Sequence, residues 1–131
     1  MSQTIKPIKT NFAPKPVGPY NQAVLANGWL FCSGQIGLDP ISGEMIGQGN
    51  IEQETQQVLK NLIAVLTEAG AKTTNVVRTT IYLTDLNDFN KVNELYNEIF
   101  KEGVSPARAC VQVAALPKGG KVEIDCVAWL D

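Results

Sequence analysis

Between Asn50 and Gly70 the apolar residues recur at helical spacing, and the segment carries its own start and stop signals. Ile51, Val58, Leu59, Leu62, Ile63, Leu66 and Ala69 form one stripe on a helix predicted from Ile51 to Ala69. Asn50 is suited to cap it, Gln53 completes a capping-box pattern, and Gly70 stands where a glycine commonly ends a helix. A helix with one apolar stripe must bury it against another layer. The flanking segments supply that layer. Ala23 to Ala26 and Trp29 to Ser33 enclose Asn27-Gly28, the pair that a type I′ turn favours because both central residues need positive φ. Asn75 to Leu83 is rich in β-branched residues and reads as a strand. A second helix is predicted from Asp88 to Lys101, with Phe89, Val92, Tyr96, Ile99 and Phe100 on one face and Gly103 after it. Ala107 to Ala114 and Val122 to Leu130 read as strands joined through Pro117-Lys118-Gly119-Gly120. The first 19 residues, with prolines at 7, 14, 16 and 19, read as an extended arm holding at most a short edge strand near Ile5 to Lys9. The order β-β-α-β-α-β-β predicts a two-layer α+β domain, with a mixed sheet and both helices on one face. A chain of 131 residues is expected to form one domain, residues 1–131.

Composition narrows the chemistry. The chain has no histidine, which excludes His-based triads and His-containing zinc sites. Three cysteines, Cys32, Cys110 and Cys126, with no C-x-x-C, indicate neither a disulfide framework nor a zinc ribbon, so no metal site is expected. The formal charge of -2 suggests no attraction to nucleic acid, and no basic stripe or aromatic stacking platform stands out. The N-terminus lacks the apolar core of a signal peptide, and no run approaches the roughly 18 apolar residues of a membrane span, so a cytoplasmic protein without a membrane partner is expected.

Alternation along the last two strands sorts their side chains. Ala107, Ala109, Val111 and Val113 share one face of their strand, and Arg108, Cys110 and Gln112 the other. Val122, Ile124, Cys126, Ala128 and Leu130 form an apolar set opposite Lys121, Glu123, Asp125, Val127 and Trp129. With both apolar sets toward the helices, the uncovered face carries Arg108, Cys110, Gln112, two carboxylates, Val127 and Trp129, a mixture suited to contact with other subunits. At such a seam Arg108, one of only two arginines, has two possible partners: an internal acid, Glu123 or Asp125, or an anionic ligand. Taken alone, Glu123 is an ordinary strand carboxylate and Cys110 an inert thiol, since no histidine is present to activate it.

The block Pro106-Ala107-Arg108-Ala109-Cys110-Val111-Gln112-Val113-Ala114, followed by Leu116-Pro117 and Val122-Glu123-Ile124, resembles the signature of the Rid family, also called YjgF or L-PSP. Within it the chain is most similar to the RidA branch, the reactive-intermediate imine/enamine deaminases. Gly18-Pro19-Tyr20 with Gln22-Ala23, Ser33-Gly34-Gln35-Ile36, Thr84 to Phe89 and Val92-Asn93 resemble other family segments in the right order, so the likeness spans residues 4 to 130. It implies a chorismate-mutase-like fold, a homotrimer with sites between subunits, and hydrolysis of 2-imino or enamine acids such as 2-iminobutanoate and 2-iminopropanoate to 2-keto acids and ammonia. It implies no cofactor, and a functional link to the pyridoxal-phosphate dehydratases that release such imines. By the same resemblance Arg108 clamps the substrate carboxylate, and Glu123 holds the attacking water and handles its proton. The backbone at Cys110, Ser33 and Gly34 helps hold the substrate, while Tyr20 and Asn93 shape the pocket. The segment Lys101 to Ser105 is shorter than in some relatives and would lie at the pocket rim. A non-catalytic binder of 2-keto acids, an endoribonuclease or translation inhibitor, and a stress holdase stand as alternatives.

Overall fold

The computed structural model describes residues 4–131; the first three residues of the predicted arm lie outside the described ones. Six strands form one sheet: β1 (Ile5–Ile8), β2 (Ala23–Ala26), β3 (Trp29–Gln35), β4 (Val76–Leu83), β5 (Ala107–Gln112) and β6 (Val122–Trp129). Their order across the sheet is β1-β2-β3-β6-β4-β5, with only β4 and β5 parallel. Helix α1 (Ile51–Glu68) connects β3 to β4, and α2 (Phe89–Phe100) connects β4 to β5. The mixed α+β architecture with its two helices is thus the predicted one.

Local signals act as expected. Asn27 and Gly28 both adopt positive φ, at 50° and 83°, and close the β2–β3 hairpin. The Asn50 side chain accepts from the Gln53 amide at 3.0 Å, capping α1, and Gly70 at φ 82° ends it. The strand predicted to reach Ala114 stops at Gln112, and β3 runs two residues past Ser33.

The core lies between the sheet and the helices. Leu30, Ile81, Leu83, Val122, Ile124 and Ala128 from the sheet meet Val58, Leu62, Val65, Leu66 and Val92 from α1 and α2, all of them buried. Each such Leu, Ile or Val contributes about 1.5–3 kcal/mol.

One sequence expectation is corrected. The predicted uncovered face combined Arg108 with Glu123, but these side chains lie on opposite faces of the sheet. The parallel register pairs Arg108 with Thr79 and Cys110 with Ile81, while β6 pairs Thr79 with Cys126 and Ile81 with Ile124. All of these belong to the helix side. The small residues Ala107, Ala109 and Val111 therefore face away from the helices. The cause is position: β5 is an edge strand at the margin of the helix layer, where an arginine can lie along α2 and keep its tip in water.

The uncovered face retains Glu123, Asp125, Val127 and Trp129. It also carries Trp29 (40% exposed), Phe31 (50%) and Val111 (43%), with Arg78 opposite Val127. Trp29 and Trp129 are register partners whose rings lie 4.7 Å apart. The face is more aromatic than the sequence reading allowed, because Trp29 and Phe31 add to Trp129 only once β3 and β6 pair.

Candidate functional site

After Cys32 the β3–β6 register shifts, and β3 ends at Gln35 opposite Ile124. The chain then leaves the sheet and crosses toward α1. The gap this opens at the start of β6 holds a cavity of about 240 Å³. Its walls are Pro14 to Val17 and Tyr20 from the arm, Ser33 to Ile36 and Leu38, Pro117, and Glu123. Of the predicted site residues, Glu123, Tyr20, Ser33 and Gly34 meet here.

Gly34 is required by contact rather than by φ. A Cβ at this position would overlap the Glu123 carboxylate, standing 2.7 Å from its Cδ and 3.0 Å from its Cγ. Glu123 is only partly exposed and pairs with no cation among the described residues. Burial, then the nearby Asp125 charge, pushes its carboxyl above the ordinary glutamate range. Directly across from Glu123 is Tyr82, whose hydroxyl donates to Asp125 Oδ2 at 3.0 Å.

Ser33 acts through the chain rather than through a free hydroxyl. Its Oγ donates to the Asn21 carbonyl at 2.6 Å and its N–H to the Gln22 carbonyl at 3.0 Å. It ties down the turn that carries Tyr20, whose hydroxyl accepts from the Val17 amide at 3.3 Å.

Sequence reasoning passed over Gln22 beyond quoting it in a motif. The side chain is buried and its amide donates to the carbonyls of Thr10, Ala13 and Pro14, while its oxygen accepts from the Thr10 amide. It pins the arm that forms the cavity wall. A proline-rich arm has few N–H groups with which to hold itself to a sheet, so a nearby side-chain amide was the available signal.

The remaining predicted residues assemble elsewhere. Arg108 Nη1 donates to Asn93 Oδ1 of α2 at 2.6 Å, and the guanidinium lies over Tyr96 and Phe89, 5.0 and 5.4 Å from the ring centroids. Cation–π contacts of this exposed kind contribute about 0.5–1 kcal/mol each. Tyr96 is in turn fixed by a 2.7 Å hydrogen bond between its hydroxyl and that of Thr79. The salt bridges among the described residues are Lys91–Glu94 and Lys101–Glu98, so Arg108 has no acid and the internal Arg108–Glu123 or Arg108–Asp125 pair does not form. Cys110 lies beside Arg108; burial raises its pKa and the Arg108 charge offsets this in part, which keeps the sulfur as a thiol. Among the described residues no cluster of three or more His, Cys, Asp or Glu could hold a metal, and no helix is long and apolar enough to cross a membrane.

One chain therefore holds the predicted site residues in two separate places: an acid in a cavity on the uncovered side, and, on the helix side, an aromatic-backed cation with no acid partner among the described residues. Comparison with known proteins adds chemistry to this geometry. Residues 10–130 match the profile of the family described as endoribonuclease L-PSP. A RutC family protein of Synechocystis is 58% identical over 127 residues, covering 97% of this chain and 98% of the relative. A human 2-iminobutanoate/2-iminopropanoate deaminase is 52% identical over 121 residues, covering 92% and 87%. The crystal structure of a Rid-family protein of unknown function from Yersinia pestis superposes with a TM-score of 0.94 at 44% identity, covering 97% of this chain and all of that one.

Proposed function

We propose that this chain, which belongs to the endoribonuclease L-PSP family, also known as the Rid family, is a 2-iminobutanoate/2-iminopropanoate deaminase that works as a homotrimer with sites between subunits. The observation that carries the assignment of residues is the separation of Arg108 from Glu123. Neither has an ion-pair partner among the described residues, and they stand on opposite faces of one sheet. A substrate with a carboxylate at one end and an electrophilic carbon at the other needs both groups, and two copies of the chain supply them.

The uncovered face supports assembly. Its exposed Trp29, Phe31, Val111 and Trp129 form an apolar surface that water solvates poorly, and further copies of the same chain would cover it. A non-catalytic 2-keto acid binder would use Arg108 in the same way but would have no need of a half-buried acid in the cavity.

In the reaction Arg108 binds the substrate carboxylate, held in place by Asn93 and the Tyr96 and Phe89 rings. The Glu123 carboxylate accepts a proton from water as the water oxygen bonds to C2, and the C=N π pair moves to nitrogen. Glu123 returns that proton to nitrogen, giving a carbinolamine. It then takes the hydroxyl proton as the O–H electron pair forms C=O and delivers it to nitrogen as the C–N bond breaks with its electron pair, so that 2-keto acid and ammonia leave. Its raised proton affinity makes the Glu123 carboxyl a better proton acceptor than an ordinary glutamate, which suits it to carry protons from oxygen to nitrogen. Backbone groups of Gly34 and Cys110, with Tyr20, hold the substrate between these two residues. Because the imine carbon is already electrophilic, placement of water and substrate accounts for the catalysis.

Such imines are released by pyridoxal-phosphate dehydratases acting on serine or threonine, which would be the functional partners. The test supplies threonine to a threonine dehydratase and follows imine decay and 2-ketobutyrate formation with and without this protein. Faster imine loss is expected; an unchanged imine lifetime would leave only the binding reading.

A further inference from the structure

Helix α1 buries two polar side chains against the gap in the sheet. Because β3 ends opposite Ile124, the first residues of β6 have no strand beside them on that side. Glu54, in the first turn of α1 and 1% exposed, fills the place of that strand. Its Oε2 accepts from the backbone amides of Lys121 and Val122, at 2.5 and 3.1 Å. Seven residues along the helix, Asn61 donates through Nδ2 to the carbonyls of Ile36 and Leu38, at 3.1 and 2.9 Å, and so holds the departing chain. The fit around Glu54 is close: a Cβ on Gly37 would stand 2.8 Å from its Cγ.

Glu54 Oε1 is buried with no hydrogen-bond partner among the described residues. A carboxyl half satisfied in a core is a costly choice where an apolar residue of similar volume would fit. What the acid adds is an acceptor for two consecutive amides, and the residue that follows them is Glu123.

We propose that Glu54 is a positioning residue for Glu123, anchoring the backbone at Lys121 and Val122 so that the Glu123 carboxyl stays in the cavity opposite Gly34. The inference rests on the reading of Glu123 as the residue that handles water. Without the anchor the start of β6 moves, and a displacement of about 1 Å at a reacting group lowers turnover by on the order of a hundredfold. Substrate-carboxylate binding, which belongs to Arg108 on the other face, is left intact.

The experiment compares Glu54→Met, Glu54→Asp and Glu54→Gln in the imine-decay assay and measures amide exchange at residues 121 and 122 by NMR. Methionine keeps the volume and removes the acceptor, and aspartate keeps the carboxyl but shortens the reach. Both should lower kcat by about tenfold to a hundredfold, leave KM within about threefold, and speed exchange at these two amides while β4 stays protected. Glutamine keeps an oxygen acceptor and should recover most of the turnover and the protection. If the methionine variant does not fold, the aspartate variant decides. A folded aspartate or methionine variant with wild-type kcat overturns the proposal, as does a glutamine variant that is slow despite protected amides. Amides at 121 and 122 that exchange freely in the wild type overturn it too. A wild-type protein inactive on imines, with these amides protected, would instead sink the deaminase reading and leave the anchor standing.

Discussion

Adding one methyl group at Gly34 tests the role of Glu123 without touching its chemistry. The Cβ of Gly34→Ala would stand 2.7 Å from Glu123 Cδ, whereas non-bonded carbons rest at about 3.5–4.0 Å. The carboxyl must therefore retreat by roughly 1 Å, which for a group that places a reacting water corresponds to about a hundredfold in kcat, or ~2.7 kcal/mol. Stability should hardly change. The Gly34 backbone is not in the left-handed region, so alanine is tolerated there. The gain of about 0.4–1 kcal/mol from a stiffer unfolded chain offsets the ~0.5–1.5 kcal/mol of moving Glu123 from its rotamer. The assay is steady-state imine hydrolysis for four proteins: wild type, Gly34→Ala, Glu123→Ala and the double variant. If the methyl acts only through Glu123, the double variant runs at the rate of Glu123→Ala, a non-additivity expected of residues in contact. Gly34→Ala within twofold of wild type, beside a slow Glu123→Ala, would refute the reasoning. A double variant slower than Glu123→Ala would show that Gly34 acts through its own backbone.

Arg108→Lys keeps the charge but loses the fork, and should weaken 2-keto acid binding in calorimetry by about 2–5 kcal/mol; unchanged affinity would remove Arg108 as the carboxylate clamp. Glu123 has its proton affinity raised in the fold, so its contribution to stability is complete below about pH 4.3 and is lost as pH rises through the elevated folded value. Glu123→Gln should therefore gain in Tm over wild type as pH goes from 4 to 7, while the wild-type rate falls on acidification through the same titration; a Tm difference flat with pH contradicts this. Val127→Asp puts an unpaired carboxylate on the uncovered face and should cost several kcal/mol per contact if copies meet there. Light scattering should show loss of trimer together with loss of activity, and an active monomer would place the site within one chain.

Much of this molecule was legible in the residues because the signals are local. Asn27-Gly28 specifies its turn through φ, Asn50 and Gly70 bound α1, and the stripe from Ile51 to Ala69 names the buried face. The face of β5 was not legible. Alternation divides its residues into Ala/Val and Arg/Cys/Gln sets, and assigning the apolar set to the core is sound for a strand covered by a helix. At a sheet edge the rule fails: alanine gains little from burial, and arginine can lie along an aromatic pair with its tip in water. Only the β4–β5 register, a contact between distant parts of the chain, decides the face. The same limit hid Gln22 and Glu54, whose importance depends on which backbone groups lack a strand beside them.

That correction bears on how a site without histidine can keep its charges ready. An arginine and a glutamate on one face of a sheet and within reach of each other would be drawn into an ion pair; Arg108 and Glu123 have β4 between their strands and lie on opposite faces. The pair would lower the proton affinity of the acid and occupy the guanidinium needed for a substrate carboxylate. The sheet itself prevents this. Arg108 is restrained by the neutral Asn93 and two aromatic rings, none of which competes with a carboxylate for its charge. Burial and then the charge of another acid, Asp125, both raise rather than lower the hold of Glu123 on a proton. Each group is thus kept in the electrostatic state that its proposed task requires. In the proposed trimer the two would meet where one copy's cavity faces another copy's β5 edge, with the substrate between them to separate the charges.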